Sequence, residues 1–534
     1  MLGPWGDRLE RRVSRRAAIT LVITLSVVVG ATSYALVVHL TRGNAPSACR
    51  HRPDSGTSLL SGPPAAVAAG VAKDLLGCAP TVVVANEDQP GSVAAAVPLA
   101  EQAHAPLLLA APLPAAAAST AASYHGGAPT AREALPAALL ATVVALREIS
   151  DLHPRSVLAV GLKTSELSVE MPRAHVTSDP GSLAGMAQPR PLGHVVVLVS
   201  KGNSPDALAA TATAEAAGAR VLAVPDDDPR ADPAAIATLS REKTQQVIAV
   251  GSGFGPASRL DSNLAVARTG VQLPGGGQLI VPMHRLVALY GHPGVPALGA
   301  LGQQGISASV ARIKQLAASY QALSDSPVIP TFEIIASVAT AAPGANGGYS
   351  FETPVTVLRP WVQAATAAGM YVILDLQPGR DNFLTQAQVY EPLLRLPNVG
   401  LALDPEWKLQ PGQLPLHQIG TVSINEVNSV VNWLGQLTAQ YNLPQKLLVL
   451  HQFKLGEIAN EQRLDTHNDN LAIVMDMDGQ GTPAMKQQTW NVITSTAPAG
   501  VPFGWKNFFV KDTPMLNPSQ TMAKTPQPVM ISYQ

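Results

Sequence analysis

The sequence is poor in charge, in aromatic residues and in cysteine. Charged residues make up 14% of the 534 positions and aromatics 4%, against 46% hydrophobic residues. That balance suits a folded chain and excludes an extended disordered one. Lys and Arg nearly cancel Asp and Glu, leaving a net charge of −1. With no basic excess and no basic patch, a nucleic-acid partner has no support. No G-x-G-x-x-G or other Gly-rich phosphate loop opens a strand–helix unit, so no nucleotide or other cofactor is expected. The two cysteines, Cys49 and Cys78, have no matched Cys or His pair beside them. A zinc site is therefore not expected, nor any other metal.

What is present begins at the N-terminus. Arg8, Arg11, Arg12, Arg15 and Arg16 precede an uncharged apolar run over residues 17–40. About 20 apolar residues span a bilayer core, and flanking positive charge stays in the cytoplasm. We expect an uncleaved transmembrane helix within residues 1–43, with everything after it outside the cytoplasm. Cys49 and Cys78 then lie in an oxidising compartment, where an even pair favours a disulfide. The Ala and Arg usage points to a G+C-rich genome of actinobacterial type.

Residues 44–70 are rich in Pro, Ser and Gly and read as a linker. Over 71–256 one strand–helix pattern occurs twice. The first copy carries strands at 81–86, 105–110 and 156–161. The second follows about 115 residues later, with strands at 195–200, 219–224 and 247–251. Short continuous apolar strands alternating with helices imply a parallel sheet covered on both faces. We expect a duplicated, doubly wound α/β domain. Its motifs, Ser204-Pro205-Asp206-Ala207-Leu208-Ala209 and Ala105-Pro106-Leu107-Leu108-Leu109, resemble the type 2 cell-wall-binding repeat of Gram-positive surface proteins. The resemblance implies binding to anionic wall polymers. Each motif stands in one copy only, and the final Gly pair is a single Gly161 or Gly251.

Residues 257–277 end in Pro274-Gly275-Gly276-Gly277 and read as a second linker. Beyond it, over 278–534, apolar runs recur and end in polar residues. The run 279–283 leads to His284, with the Tyr290-to-Gly294 loop and His292 beyond. Residues 327–332 lead to Glu333. Residues 370–374 lead to Asp375 and Gln377, with Arg380 following. Residues 399–403 lead to Asp404, Glu406 and Trp407. Residues 446–450 lead to His451. Residues 471–475 lead to Asp476 and Asp478. Residues 508–510 lead to Lys511, with Trp505 and Lys506 just before. Interleaved helical stretches complete the rhythm of a (β/α)8 barrel, whose working residues sit at the C-terminal ends of the strands.

With Leu374-Asp375-Leu376-Gln377, Asp404-Pro405-Glu406-Trp407 and aromatics near strand ends, this half resembles the glycoside-hydrolase-like barrels of bacterial surface proteins. Such enzymes use two carboxylates, one as acid and one as base or nucleophile. The candidate catalytic residues are Asp404, Glu406, Asp375, Asp476 and Glu333. The candidate substrate contacts are His284, Tyr290, His292, Gln377, Arg380, Trp407, His451, Asp478, Trp505 and Lys511. Each has a plainer alternative, such as a helix cap or ion pair for Asp375, a turn for Asp476 and Asp478, or charge balance for Lys506 and Lys511. The expected activity is hydrolysis of cell-wall or envelope polysaccharide by a membrane-anchored protein. The alternatives are a non-catalytic barrel that binds glycan or a partner and a phosphodiesterase with metal held by His284, Glu333 and further carboxylates, although no Glu closely follows His284 to complete a ligand set.

Overall fold

The computed structural model describes residues 48–51, 55–112, 137–183, 185–242 and 244–534. Among them no helix is long and apolar enough to cross a membrane. The expected membrane segment, residues 17–40, lies outside the described residues. The chain divides into two compact units. One comprises Met1–Ala223 and Thr244–Phe254, the other Val224–Lys243 and Gly255–Gln534.

The first unit is built on two four-stranded sheets. Strands such as Thr81–Asn86 (TVVVAN) and Val195–Ser200 (VVVLVS) are β-branched runs buried almost throughout. Such runs suit parallel strands covered on both faces. In one sheet the spatial order is Leu107–Ala110, Thr81–Asn86, Ser156–Val160, His175–Thr177. In the other it is Arg220–Val224, Val195–Ser200, Gln246–Val250, Gly56–Leu60. The two orders correspond position by position, except that the fourth strand of the second sheet comes from the start of the chain. The stretch read as a linker at 44–70 therefore carries strand Gly56–Leu60, parallel to Gln246–Val250, and the start of helix Pro64–Leu75. Proline misleads there, because at the first helical position its missing N–H costs nothing.

Alanine-rich helices bind this unit together. Helix Pro205–Ala217 buries Ala207, Ala209, Ala210, Ala212, Ala214, Ala216 and Ala217, and small side chains let neighbouring elements come close. Thr213 both donates to the Leu107 carbonyl (2.9 Å) and accepts from its N–H (3.1 Å). The helix stops at Gly218, which has φ +76 and whose added Cβ would meet the Arg190 carbonyl at 2.2 Å. Cys49 and Cys78 are disulfide-bonded across an antiparallel strand pair. They close a loop of sequence separation 29. By loop entropy, reduction or Cys49→Ala is expected to destabilise this unit by about 3–4 kcal/mol. Thermal melting with and without reductant measures this, and an unchanged transition would show that the bond constrains nothing.

The second unit is a closed barrel of eight parallel strands. They are β1 (Arg285–Gly291), β2 (Val328–Ala339), β3 (Tyr371–Leu376), β4 (Val399–Leu403), β5 (Lys446–Gln452), β6 (Leu471–Met477), β7 (Phe503–Asn507) and β8 (Met530–Tyr533). Hydrogen bonding of β8 to β1 closes the ring. Helices cover most crossovers, including Ile306–Gln321, Val355–Ala367, Ile424–Gln440 and Pro483–Thr496. Between β5 and β6 an irregular segment with a short turn at Glu461–Arg463 takes that place. The outward strand faces and the helices share one apolar core that includes Trp490, Trp505 and Phe503.

Three stretches differ from the sequence expectation. Residues 279–283 contain Pro282 and form no strand; β1 starts at Arg285. The run 508–510 lies past the end of β7. The stretch read as a linker at 257–277 carries helix Ala257–Arg268 and belongs to the barrel unit. Leu273 and Ile280, just after that helix, join the lumen-filling cluster.

Candidate functional site

Alternation along each strand sends every second side chain into the lumen. At the N-terminal end those side chains are apolar or small: Leu286 and Ala288, Ile329, Tyr371 and Ile373, Ala402, Leu447 and Val449, Ala472 and Val474, Met530. They form a largely apolar plug. Continuing the same parity, the C-terminal layer reads Tyr290, Glu333, Asp375, Asp404, His451, Asp476, Lys506 and Ser532, one from each strand or its end. The polar mouth is thus the same inward face one step further along. Gly504 leaves room for it, since a Cβ there would stand 2.3 Å from Asp476 Oδ1.

His451 is the hub. Its Nε2 lies 3.1 Å from Glu333 Oε1 and 3.8 Å from Asp375 Oδ1. Its Nδ1 lies 3.1 Å from Asp476 Oδ2 and 3.8 Å from Asp478 Oδ2. The two closest contacts are off the axis of a good hydrogen bond, so they act as charge contacts. Burial and Lys506 both disfavour the imidazolium, yet Asp476 and Glu333 outweigh them and hold its pKa well above 6.5. Burial alone would raise Glu333. His451, Lys506 and the hydroxyl of Ser532, which donates to Glu333 Oε2, instead keep it below the usual value and ionised. Lys506 lies 3.5 Å from the centre of the Tyr290 ring. Despite burial, Asp478, Glu333, Asp404 and Asp476 hold its ammonium charged.

Tyr290 donates to Asp375 Oδ2 at 2.8 Å and accepts from Gln377 Nε2 at 3.3 Å. Burial is the main force that pushes Asp375 up to about 6. Beyond the ring stands a second acidic group. One oxygen from each of Asp404, Glu406 and Asp478 lies within 4.8 Å of the others. Burial, then neighbouring carboxylates, hold Asp404 well above its normal range and push Glu406 up to about 7. Burial also raises Asp478, and raises Glu457, which feels Asp478, to about 8. Oxygens so close either share protons or hold a hard cation. Asp375 Oδ1, Asp404 Oδ1, Asp478 Oδ1 and Glu457 Oε1 are buried with no protein hydrogen-bond partner among the described residues.

Glu406 differs from the rest in position. The ring carboxyls are buried, whereas Glu406 is half-buried and lines an open groove of about 310 Å³ with Trp407, Leu409, Pro415, Leu416 and Ile419. Pro405 ends β4 and turns the chain into a short helical turn at Pro405–Trp407, which carries Glu406 to the rim.

The structure gathers Glu333, Asp375, Asp404, Glu406, Asp476, Asp478, His451, Tyr290 and Gln377 at one mouth. Trp407 stands at the rim beside Glu406. His292 is half-buried after β1 and bonds Thr353 Oγ1 at 3.0 Å. Four candidates lie elsewhere or are otherwise engaged. His284 precedes β1, at the opposite end of the barrel, where its Nδ1 faces the Leu279 carbonyl at 3.0 Å. The metal reading that paired it with Glu333 fails on that separation. Trp505 faces outward, the parity opposite to Lys506, and is buried against Trp490 at 5.4 Å. It cannot stack on a sugar. Lys511 is exposed beyond β7. Arg380 stacks 4.3 Å from Tyr349 and gives two hydrogen bonds to the Gln413 carbonyl.

Lys506, Ser532 and Glu457 were missed as site residues. Lys506 lies in the five-residue FGWKN strand, whose glycine and lysine hide its period. Ser532 lies in a four-residue strand. Glu457 is on a loop, where no periodicity marks it. The chain matches no family model, no curated protein and no solved structure.

Proposed function

We propose that the barrel hydrolyses a glycosidic bond in an extracytoplasmic polysaccharide, with Glu406 as the proton donor. The observation that carries this reading is position: Glu406 is the carboxyl of the mouth cluster that lines the open groove, beside Trp407. A group near pKa 7 is protonated often enough to protonate a leaving oxygen, yet acidic enough to do so rapidly. Asp478 supplies the second carboxylate; burial opposes its charge, and Lys506 and His451 favour it. Trp407 offers a flat apolar surface of the kind sugar rings stack on. The Cys49–Cys78 bond supports an oxidising location, as does the export-like N-terminus. A membrane anchor and a wall-polymer role for the first unit belong to the same proposal. Incubation of the protein with envelope glycans, followed by measurement of new reducing ends, tests it. No release from any envelope fraction would sink it.

The raised proton affinities of Asp404, Glu406 and Asp478 favour protons over a cation in this cluster. Chelation with EDTA is therefore expected to change neither turnover nor melting temperature. A fall in either would show that the three carboxylates hold a cation.

A second reading is a glycan-binding barrel without turnover. The complete burial of Glu333, Asp375 and Asp476 favours it, since such groups can brace a mouth without touching ligand. Glycan retention that survives Glu406→Gln, with no turnover by the unaltered protein, would select it.

A further inference from the structure

The groove beside Glu406 is walled by a loop, residues 408–421, that is pinned at its base and, by Arg380 to the Gln413 carbonyl, partway along. At the base, Leu409 N–H donates to Gly379 O at 2.8 Å, Gly420 N–H to Glu406 O at 2.7 Å, and Thr421 N–H to Lys408 O at 3.1 Å. The tip presents aliphatic side chains to water. Leu416 is 84% exposed, and Leu414 and Ile419 are 39% and 41% exposed. Leu416 also has φ +64, a backbone region that disfavours any residue with a Cβ. The free protein therefore carries two unfavourable features at one residue, strain and an unburied leucine. An apolar ligand group laid against the tip would take that leucine out of water. The same groove is lined by Glu406 and Trp407 and, from the loop, by Leu409, Pro415, Leu416, His417, Gln418 and Ile419.

We infer that the groove takes an amphiphilic glycoside, with the sugar at Glu406 and Trp407 and an aliphatic aglycone along Pro415, Leu416 and Ile419. The inference rests on the mouth handling a sugar, and it names the class of leaving group. Glu406 protonates the oxygen that joins sugar to aglycone as the anomeric C–O bond breaks; water, giving a proton to the Asp478 carboxylate, forms the new bond to the anomeric carbon, and an alcohol with an apolar chain departs through the lip.

The test compares hexyl β-glucoside with methyl β-glucoside, using the full chain in a non-sugar detergent, by saturation-transfer NMR titration. The hexyl compound is expected to bind roughly 10–100-fold more tightly, the range set by a few buried methylenes in an open groove. Leu416→Asp removes that preference. Leu416→Gly, which relieves the φ strain, keeps the fold and also removes it. Val510→Asp alters an 86%-exposed valine just past β7 and keeps the preference, which separates lip binding from general adsorption of alkyl chains. Equal affinity for the two glycosides, or equal effects of Leu416→Asp and Val510→Asp, overturns the inference. Hexyl glucoside bound with its preference but never cleaved, alongside uncleaved envelope glycans, would leave the lip standing and overturn the hydrolase reading. Envelope-glycan turnover without alkyl preference would do the reverse.

Discussion

Glu406→Gln is expected to lower glycan turnover by about 10²–10⁴-fold, the usual worth of a positioned general acid, while leaving the melting temperature close to that of the parent. The amide keeps the shape and loses the proton. The side chain is half-buried at the rim, and its loss removes one carboxyl from a crowded acidic group, so folding has little to lose. The pH dependence follows from the direction of the shift. Burial, with Asp478 next, pushes Glu406 up to about 7. The active form has Glu406 protonated and Asp478 ionised, so activity falls as pH rises through that value and also falls on the acid side as Asp478 takes up its proton. Turnover that instead climbs from pH 6 to 8, or a variant with parental turnover, would remove Glu406 from the proton-donor role.

The largest effect on stability is expected at His451. Replacement by Leu leaves Glu333 and Asp476 facing each other across the lumen without the cation between them. Breaking a buried ion pair from one side costs about 3–5 kcal/mol. Lys506 keeps some compensation in place, so the lower part of that range is expected. The sign with pH is specific. His451 has a folded pKa raised well above 6.5. Its contribution is complete below the unfolded value and is lost as pH rises through the folded one. Glu333 is shifted the other way, so its contribution is present above its unfolded value and is lost as pH falls through the lowered one. The parent protein should therefore weaken toward alkaline pH through His451, and His451→Leu should flatten that limb. Denaturant unfolding of the barrel across that range measures both. A variant as stable as the parent, with the same alkaline slope, would mean the imidazole carries no charge there.

Several barrel strands were legible for a simple reason. The runs at 399–403, 447–450 and 471–475 are continuous apolar segments, as parallel strands buried on both faces must be, and each ends in an acid or histidine that departs from the pattern. The i, i+2 spacing of Asp476 and Asp478 carried real information, because inward parity continues past the end of β6. The same logic failed where strands are short or contain glycine. β7 reads FGWKN and β8 reads MISY, too little sequence for a period to show. The tryptophan of β7 was the conspicuous residue, yet parity turns it outward and gives the lumen to Lys506. At β1, one misplaced strand start put His284 at the wrong end of the barrel.

Part of the mouth's composition was legible in the sequence alone: acids and a histidine recur where apolar runs stop, with the two cysteines placed to pair. Which of those acids can meet a ligand was decided only in three dimensions. Closure of β8 onto β1 surrounds Glu333, Asp375 and Asp476 with neighbouring strands and removes them from water. Pro405 breaks β4 one residue after Asp404 and swings Glu406 out to the groove. Burial and neighbouring carboxylates then raise the proton affinities of Asp404 and Glu406. Those quantities depend on neighbours far apart along the chain, so no local pattern could have carried them.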